Sequence, residues 1–159
     1  MYTLQSHYLL RHPIDLSFPY FATVFSMGLI GYFIFRTVNN QKDLARSTNG
    51  KCMIWGSPAK VIRTEFVTTD GKKHKSLLLC SGYWGLARHF NYLGDLLLSL
   101  SMCMTCGEGH LLPYFYIIYM AILLFQRVER DHERCSAKYG PYWKQYCEQV
   151  PYKVIPFIY

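Results

Sequence analysis

The chain has 159 residues, 51% of them hydrophobic and 17% aromatic, with only 17% charged, where an ordinary soluble domain carries about 25% charged residues. That deficit, with a mean hydropathy of +0.03, argues against a plain soluble globule and for apolar blocks segregated from basic ones, as a bilayer requires. The net charge of +7 suits anionic lipid headgroups, a phosphorylated cofactor or nucleic acid. The six cysteines have no dense secreted-type spacing, so they read as reduced thiols with no disulfide framework.

From Leu16 to Phe35 the chain carries 20 consecutive residues without a charge. At the helical rise this is about 30 Å, enough to span a bilayer core. A signal peptide fits less well, because the run starts late, lacks a small-residue cleavage site and has its basic flank, Arg36, on the wrong side. Residues 16–35 are therefore expected to form a membrane helix.

Residues 36–76 hold nine basic residues against three acids, which makes them a cytoplasmic loop by the positive-inside rule. The turn signals Ser47-Thr48-Asn49-Gly50 and Asp70-Gly71, with the run Val61, Ile62, Thr64, Phe66, Val67, Thr68, predict a short hairpin within it. Lys42 and Arg46 fall one turn apart if the first membrane helix continues past Phe35. They then form either a phosphate clamp or ordinary positive flanks.

Apolar character returns at Leu93 and runs to Phe125, interrupted at Cys106-Gly107-Glu108-Gly109-His110. This predicts a helical membrane hairpin over 84–125, both open ends beside positive charge and so facing the cytoplasm. Its first leg is expected to begin near Trp84, placing Trp84, Arg88, Asn91, Tyr92 and Asp95 on one helical face. Such a polar stripe entering an apolar segment lines a protein cavity, meets a polar ligand, or acts as an interfacial anchor. The remaining residues, 126–159, form a basic, aromatic cytoplasmic tail in which Gly140-Pro141 ends one helix and begins another. On the first of these, Arg127, Asp131, Cys135, Lys138 and Tyr139 share a face. That face suits a phosphate and a planar ring, or simply a solvated membrane surface.

Other signals fail. Cys103-Met104-Thr105-Cys106 lies in an apolar helix without a second pair, so no metal is expected. Gly107-Glu108-Gly109 follows a membrane helix and lacks a third glycine, so a nucleotide would be bound outside a Rossmann fold. The basic residues are split by membrane segments, and no nucleic-acid partner is expected.

Three motifs then carry a resemblance: Leu77-Leu78-Leu79-Cys80-Ser81-Gly82-Tyr83-Trp84-Gly85, Arg88-His89-Phe90-Asn91-Tyr92-Leu93-Gly94-Asp95, and Leu112-Pro113-Tyr114-Phe115-Tyr116. With the tail Arg130-Asp131-His132-Glu133-Arg134-Cys135-Ser136-Ala137-Lys138-Tyr139-Gly140 and Val150-Pro151-Tyr152-Lys153, they resemble the sterol reductase family along essentially the whole chain. Phe90 and the segment Gly50–Gly56 resemble its Δ7 branch. The resemblance implies the C-terminal portion of a multi-pass endoplasmic reticulum enzyme that reduces the sterol C7=C8 bond with NADPH. The implied fold is all-α, with polytopic membrane helices, a cytoplasmic loop and C-terminal helices around a non-Rossmann NADPH pocket. Implied partners are the sterol substrate, the lipid bilayer and other enzymes of sterol synthesis.

Carried over by motif, the cofactor contacts are Lys42, Arg46, Leu79, Trp84, Asn91, Tyr92, Asp131, Cys135, Ser136, Ala137, Lys138, Tyr139 and Tyr146. No catalytic acid is assigned, Asp131 and Tyr92 being candidate participants in protonation. The alternatives are a membrane enzyme like the isoprenylcysteine methyltransferases, and an inactive truncated membrane protein. Phe90-Asn91 after Arg-His, and the Lys42 and Arg46 pair, weigh against the former.

Overall fold

The computed structural model describes residues 2–67, 71–107 and 109–159. Its elements run, in order, α1 (Tyr2–Arg11), α2 (Phe18–Ser47), β1 (Met53–Ile54), β2 (Ser57–Pro58), β3 (Val61–Val67), β4 (Lys73–Leu79), α3 (Tyr83–Leu86), α4 (Phe90–Met104), a 3₁₀ turn (Leu112–Tyr114), α5 (Phe115–Tyr139) and α6 (Pro141–Gln149). The chain divides into two compact units, residues 1–35 with 92–126, and residues 36–91 with 127–159.

In the first unit, α2 is the one helix among the described residues that is long and apolar enough to cross a membrane by length and composition. Phe18, Phe21, Phe25, Leu29 and Phe33 lie outward on it, and Phe115, Ile118, Ile122 and Phe125 lie outward on α5. Apolar exposure on this scale suits a lipid surround or further protein rather than water. Close packing holds α2 to α4. A Cβ on Gly31 would stand 2.9 Å from the Gly94 carbonyl oxygen, and one on Gly94 would stand 2.7 Å from that of Gly31. Paired glycines let two helix backbones approach where apolar solvent supplies no hydrophobic drive. The N-terminal helix α1, which the composition did not announce, is tied in by Gln5 Nε2, 3.2 Å from Cys103 Sγ, and by the Tyr8 ring 5.8 Å from that of His110.

The second unit departs from an all-α chain. β3 and β4 pair antiparallel with Val61 opposite Leu79 and Val67 opposite Lys73, and β1 pairs with β2. The hairpin is the one predicted from its β-branched run; Thr68 and Asp70, also in that prediction, lie outside the described residues. Alternation divides its two faces. Ile62 belongs to a buried cluster with Tyr139, Trp143, Tyr146 and Val150, against which Phe66 and Leu78 pack. On the opposite face Leu77 and Leu79 join Ala45 and Ile54. The hairpin is thus wedged between the C-terminal half of α2 and the α5–α6 pair.

One further expectation is corrected. The helix said to begin near Trp84 is broken: α3 ends at Leu86, Ala87 is extended with φ −153° and ψ 149°, and α4 starts at Phe90. The five-residue stripe therefore does not exist as one helical face; only Asn91, Tyr92 and Asp95 share a helix. α5 itself runs unbroken from Phe115 to Tyr139, and the division between the two units falls within it, between Gln126 and Arg127.

Candidate functional site

The second unit gathers most of the implicated residues. α2 continues to Ser47, so Lys42 and Arg46 stand one turn apart near its C-terminal end. Lys42 Nζ lies 4.9 Å from the centre of the Trp84 ring, a cation–π distance. It also donates to Asn39 Oδ1 at 3.5 Å. Burial, then the neighbouring Arg46 charge, lowers the Lys42 pKa from its ordinary value, and Asp43 opposes the shift.

Trp84 is held from three sides. Its Nε1 donates to the Val38 carbonyl at 2.8 Å. The Tyr83 backbone N–H donates to Gln41 Oε1 at 3.1 Å, and the Tyr146 hydroxyl donates to the Trp84 carbonyl at 3.3 Å. The turn that delivers Trp84 needs Gly82, whose φ is 65°; a Cβ there would meet Gln41 Oε1 at 2.4 Å and Ile54 Cγ2 at 2.6 Å. Leu79, at the end of β4, is buried in the cluster that Trp84 packs against.

After the break at Ala87, Arg88 is buried and anchors the chain to the tail. Its Nη1 lies 2.6 Å from Cys147 Sγ and its Nη2 donates to the Pro151 carbonyl at 3.1 Å. The backbone N–H groups of Arg88 and His89 donate to the carbonyls of Tyr152 and Lys153. Asn91, in the first turn of α4, has a buried Oδ1 with no hydrogen-bond partner; among the described residues the other buried side-chain polar atoms so placed are Arg88 Nε and Thr64 Oγ1. All three belong to this unit. A buried acceptor left unpaired costs about 1–3 kcal/mol, so the unit is short of polar partners.

On α5, Asp131 and Cys135 are half-buried, Ser136, Ala137 and Lys138 exposed, and Tyr139 buried. Burial and the Asp131 charge push the Cys135 thiol pKa up, and the charge of Arg46 pulls the other way, so α2 and α5 present these groups within electrostatic reach of each other. Lys138 Nζ lies 4.0 Å from the Phe66 ring centre, and that ring meets Tyr139 edge-on at 5.7 Å. Tyr146, on α6, is buried beside Trp143 at a ring separation of 5.3 Å. Burial, then the neighbouring Cys80 thiol, raises the Tyr146 pKa, so the phenol stays protonated.

The structure thus brings together Lys42, Arg46, Leu79, Trp84, Cys135, Tyr139 and Tyr146. Tyr92 belongs to the other compact unit. Residues the sequence reading passed over also enter: Gln41, which fixes the Gly82–Tyr83 turn, and Phe66, which sits under Lys138. The alternation Ile62, Thr64, Phe66 was the signal for the latter, since it puts Phe66 on the same hairpin face as a core isoleucine. Among the described residues, no group of three or more His, Cys, Asp or Glu is placed to hold a metal ion. The second unit thus holds cations against aromatic rings, Lys42 by Trp84 and Lys138 by Phe66, and, at the start of α4, a buried amide oxygen without a partner.

The sequence profile of the ergosterol biosynthesis ERG4/ERG24 family matches residues 1–159. The chain is 55% identical over 156 residues to 7-dehydrocholesterol reductase of Xenopus laevis, covering 98% of this chain and 33% of that protein. Against 7-dehydrocholesterol reductase of Danio rerio it is 54% identical over 159 residues, covering 100% and 33%. It is also similar to Delta(14)-sterol reductase of Methylotuvimicrobium alcaliphilum, at 45% identity over 158 residues, covering 99% and 35%. The chain spans about a third of the length of these curated relatives.

Proposed function

The chain belongs to the ergosterol biosynthesis ERG4/ERG24 family, a family of sterol reductases, and from that premise we propose that it is the cofactor-holding portion of an NADPH-dependent Δ7-sterol reductase of the endoplasmic reticulum membrane. The observation that carries the cofactor reading is the buried, unpartnered Oδ1 of Asn91 in a unit that also sets Lys42 against Trp84. An amide oxygen without a donor calls for an N–H from a ligand, and a carboxamide offers one. The residues present fit the group. Lys42, Arg46 and Lys138 supply charge for phosphates, and Trp84, Tyr139 and Tyr146 supply flat apolar surfaces for rings. The Δ7 assignment takes its support from the resemblance carried by Phe90 and the segment Gly50–Gly56, and from identities of 54–55% to two 7-dehydrocholesterol reductases.

When bound, the cofactor supplies a hydride to the sterol alkene. This chain's part is to bind and orient it. Gly82 and Gln41 fix the Trp84 wall, the Arg88 anchor fixes the start of the helix bearing Asn91, and the buried Tyr146 closes the base of that wall. The other alkene carbon must receive a proton; Asp131, half-buried on α5, and Tyr92 are the acids to substitute. The sterol reaches the enzyme from the bilayer, on the side where α2 and α5 expose apolar residues, and other sterol-synthesis enzymes are its natural neighbours.

The test is binding by the detergent-purified chain of NADPH, NADH and S-adenosylmethionine, repeated with Lys42→Ala plus Arg46→Ala. Preferential NADPH binding weakened by the double substitution is expected. Equal binding of NADH, or preference for S-adenosylmethionine, refutes the cofactor reading.

A further inference from the structure

Beside the described site lies a cavity of about 400 Å³ between the last turn of α2 and the β3–β4 hairpin, whose charged lining is Arg46, Arg63, Glu65 and Lys75. Its volume falls within the range of small-molecule sites, about 300–1,000 Å³. Register sets the lining: Arg63 stands opposite Leu77 and Glu65 opposite Lys75, so these four side chains share one hairpin face. That face is pinned, because Leu77 is buried in one cluster with Ala45, the residue next to Arg46. Glu65 and Lys75 satisfy each other at 3.6 Å. Arg46 and Arg63 remain, and among the described residues neither has a carboxylate within ion-pair distance. Two uncompensated guanidinium groups facing one concavity repel each other unless an anion lies between them. A phosphate monoester carries about −1.5 to −2 near neutral pH, which matches the pair, and guanidinium forks fit phosphate oxygens.

The polarity of α2 bears on the role of Arg63. Arg46 sits in the helix's last turn, where the backbone contributes roughly half a negative charge. Arg46 alone is therefore partly offset as an anion receptor, and Arg63 supplies a second cation from the hairpin. Because Arg46 also belongs to the cofactor site, the anion bound here is continuous with the cofactor.

We infer that Arg63 of the hairpin, with Arg46, seats the phosphate monoester carried on the adenosine ribose of the cofactor, so that the hairpin sets the preference for the phosphorylated over the unphosphorylated dinucleotide. The inference rests on the NADPH reading above. Arg63 is exposed and can be changed without disturbing the core, which thermal unfolding of the variants checks.

The experiment measures dissociation constants of the full 159-residue chain for NADPH, NADH and adenosine 2′,5′-bisphosphate, for the unmodified chain, Arg63→Gln and Arg63→Lys. Arg63→Gln is expected to weaken NADPH and the bisphosphate about tenfold, the scale of one lost charge-assisted contact, and to leave NADH within about twofold. Arg63→Lys should fall between. Unchanged NADPH affinity in Arg63→Gln, or equal losses for NADPH and NADH, overturns the inference. If the bisphosphate binds in an Arg63-dependent way while neither dinucleotide binds, the phosphate seat stands and the reductase reading falls. If no probe binds the unmodified chain, both fall.

Discussion

The turn before Trp84 is the most exacting feature of the site, and replacing Gly82 with alanine tests it. Two costs add. At φ 65° an L-residue with a Cβ pays about 1–2 kcal/mol for the left-handed backbone. The new Cβ would also stand 2.4 Å from Gln41 Oε1 and 2.6 Å from Ile54 Cγ2, closer than non-bonded atoms tolerate. Overpacking of this kind costs about 1–3 kcal/mol. Relief by moving Gln41 sacrifices its bond to the Tyr83 N–H, worth about 1 kcal/mol. With the lost bond included, the sum is about 3–6 kcal/mol. Gly56 is the internal control: its φ is 77°, yet a Cβ there would meet nothing within 4 Å, so Gly56→Ala carries the backbone cost alone. For a chain of this size about 1 kcal/mol corresponds to roughly 2–4 °C in Tm. Gly82→Ala is therefore expected to melt about 5 °C or more below Gly56→Ala, and to lose NADPH affinity that Gly56→Ala retains, when both are followed by thermal unfolding in detergent and by ligand titration. Equal melting of the two variants would refute the claim that Gln41 and Ile54 close around Gly82.

Further outcomes follow from the same unit. Thr64 is buried with an unpaired hydroxyl, so Thr64→Val should raise stability by about 1 kcal/mol in the absence of added ligand; a loss of stability in denaturant titration would show that the hydroxyl has a partner. Tyr146→Phe removes the bond to the Trp84 carbonyl and should cost about 1 kcal/mol together with weaker NADPH binding, and unaltered binding would separate Tyr146 from the ligand wall. Burial depresses the Lys42 pKa, so any affinity that depends on its positive charge should fade with rising pH before an ordinary lysine would lose its proton, a trend that a pH series of NADPH titrations reads and Lys42→Arg abolishes. Glu129 has its pKa lowered by hydrogen bonds from Lys153 and then Tyr159. Its contribution to stability is complete above the ordinary value of 4.5 and is lost as pH falls through its folded value. Glu129→Gln should flatten the acid limb of the unfolding profile, and an unchanged limb would show that this exposed pair contributes nothing.

How legible the site was depended on whether local chemistry or distant contacts decided each element. The β3–β4 hairpin was legible because Val61–Val67 is rich in β-branched residues with turn formers beyond it. The α5 face was legible because Arg127, Asp131, Cys135 and Lys138 recur at helical spacing inside an element with no glycine or proline. Lys42 and Arg46 became a pair only through the continuation of α2, which the uncharged run 16–35 left open. The helix α1 was missed because Tyr2–Arg11 mixes polar and apolar residues without a strong period, and what orders it is remote: Cys103 for Gln5 and His110 for Tyr8.

The break at Ala87 is the most instructive miss. Nothing in Trp84-Gly85-Leu86-Ala87-Arg88 forbids a helix, and alanine is the best helix former there is. What stops the helix is competition for backbone donors. In a continuous helix the N–H groups of Arg88 and His89 would bond four residues back; instead they bond the carbonyls of Tyr152 and Lys153 at 3.0 and 2.8 Å, while the Arg88 guanidinium takes Pro151. Three bonds to one short stretch of tail replace two local ones, and the exchange is visible only once the tail is folded. The consequence reaches the site. A continuous helix would have fixed Trp84 and Asn91 seven residues apart on one face, whereas the break aims them separately, Trp84 through α2 and α6 and Asn91 through the tail anchor. Shortening or loosening the segment Pro151–Lys153 should therefore disturb the Asn91 side of the site while leaving the Lys42–Trp84 contact in place.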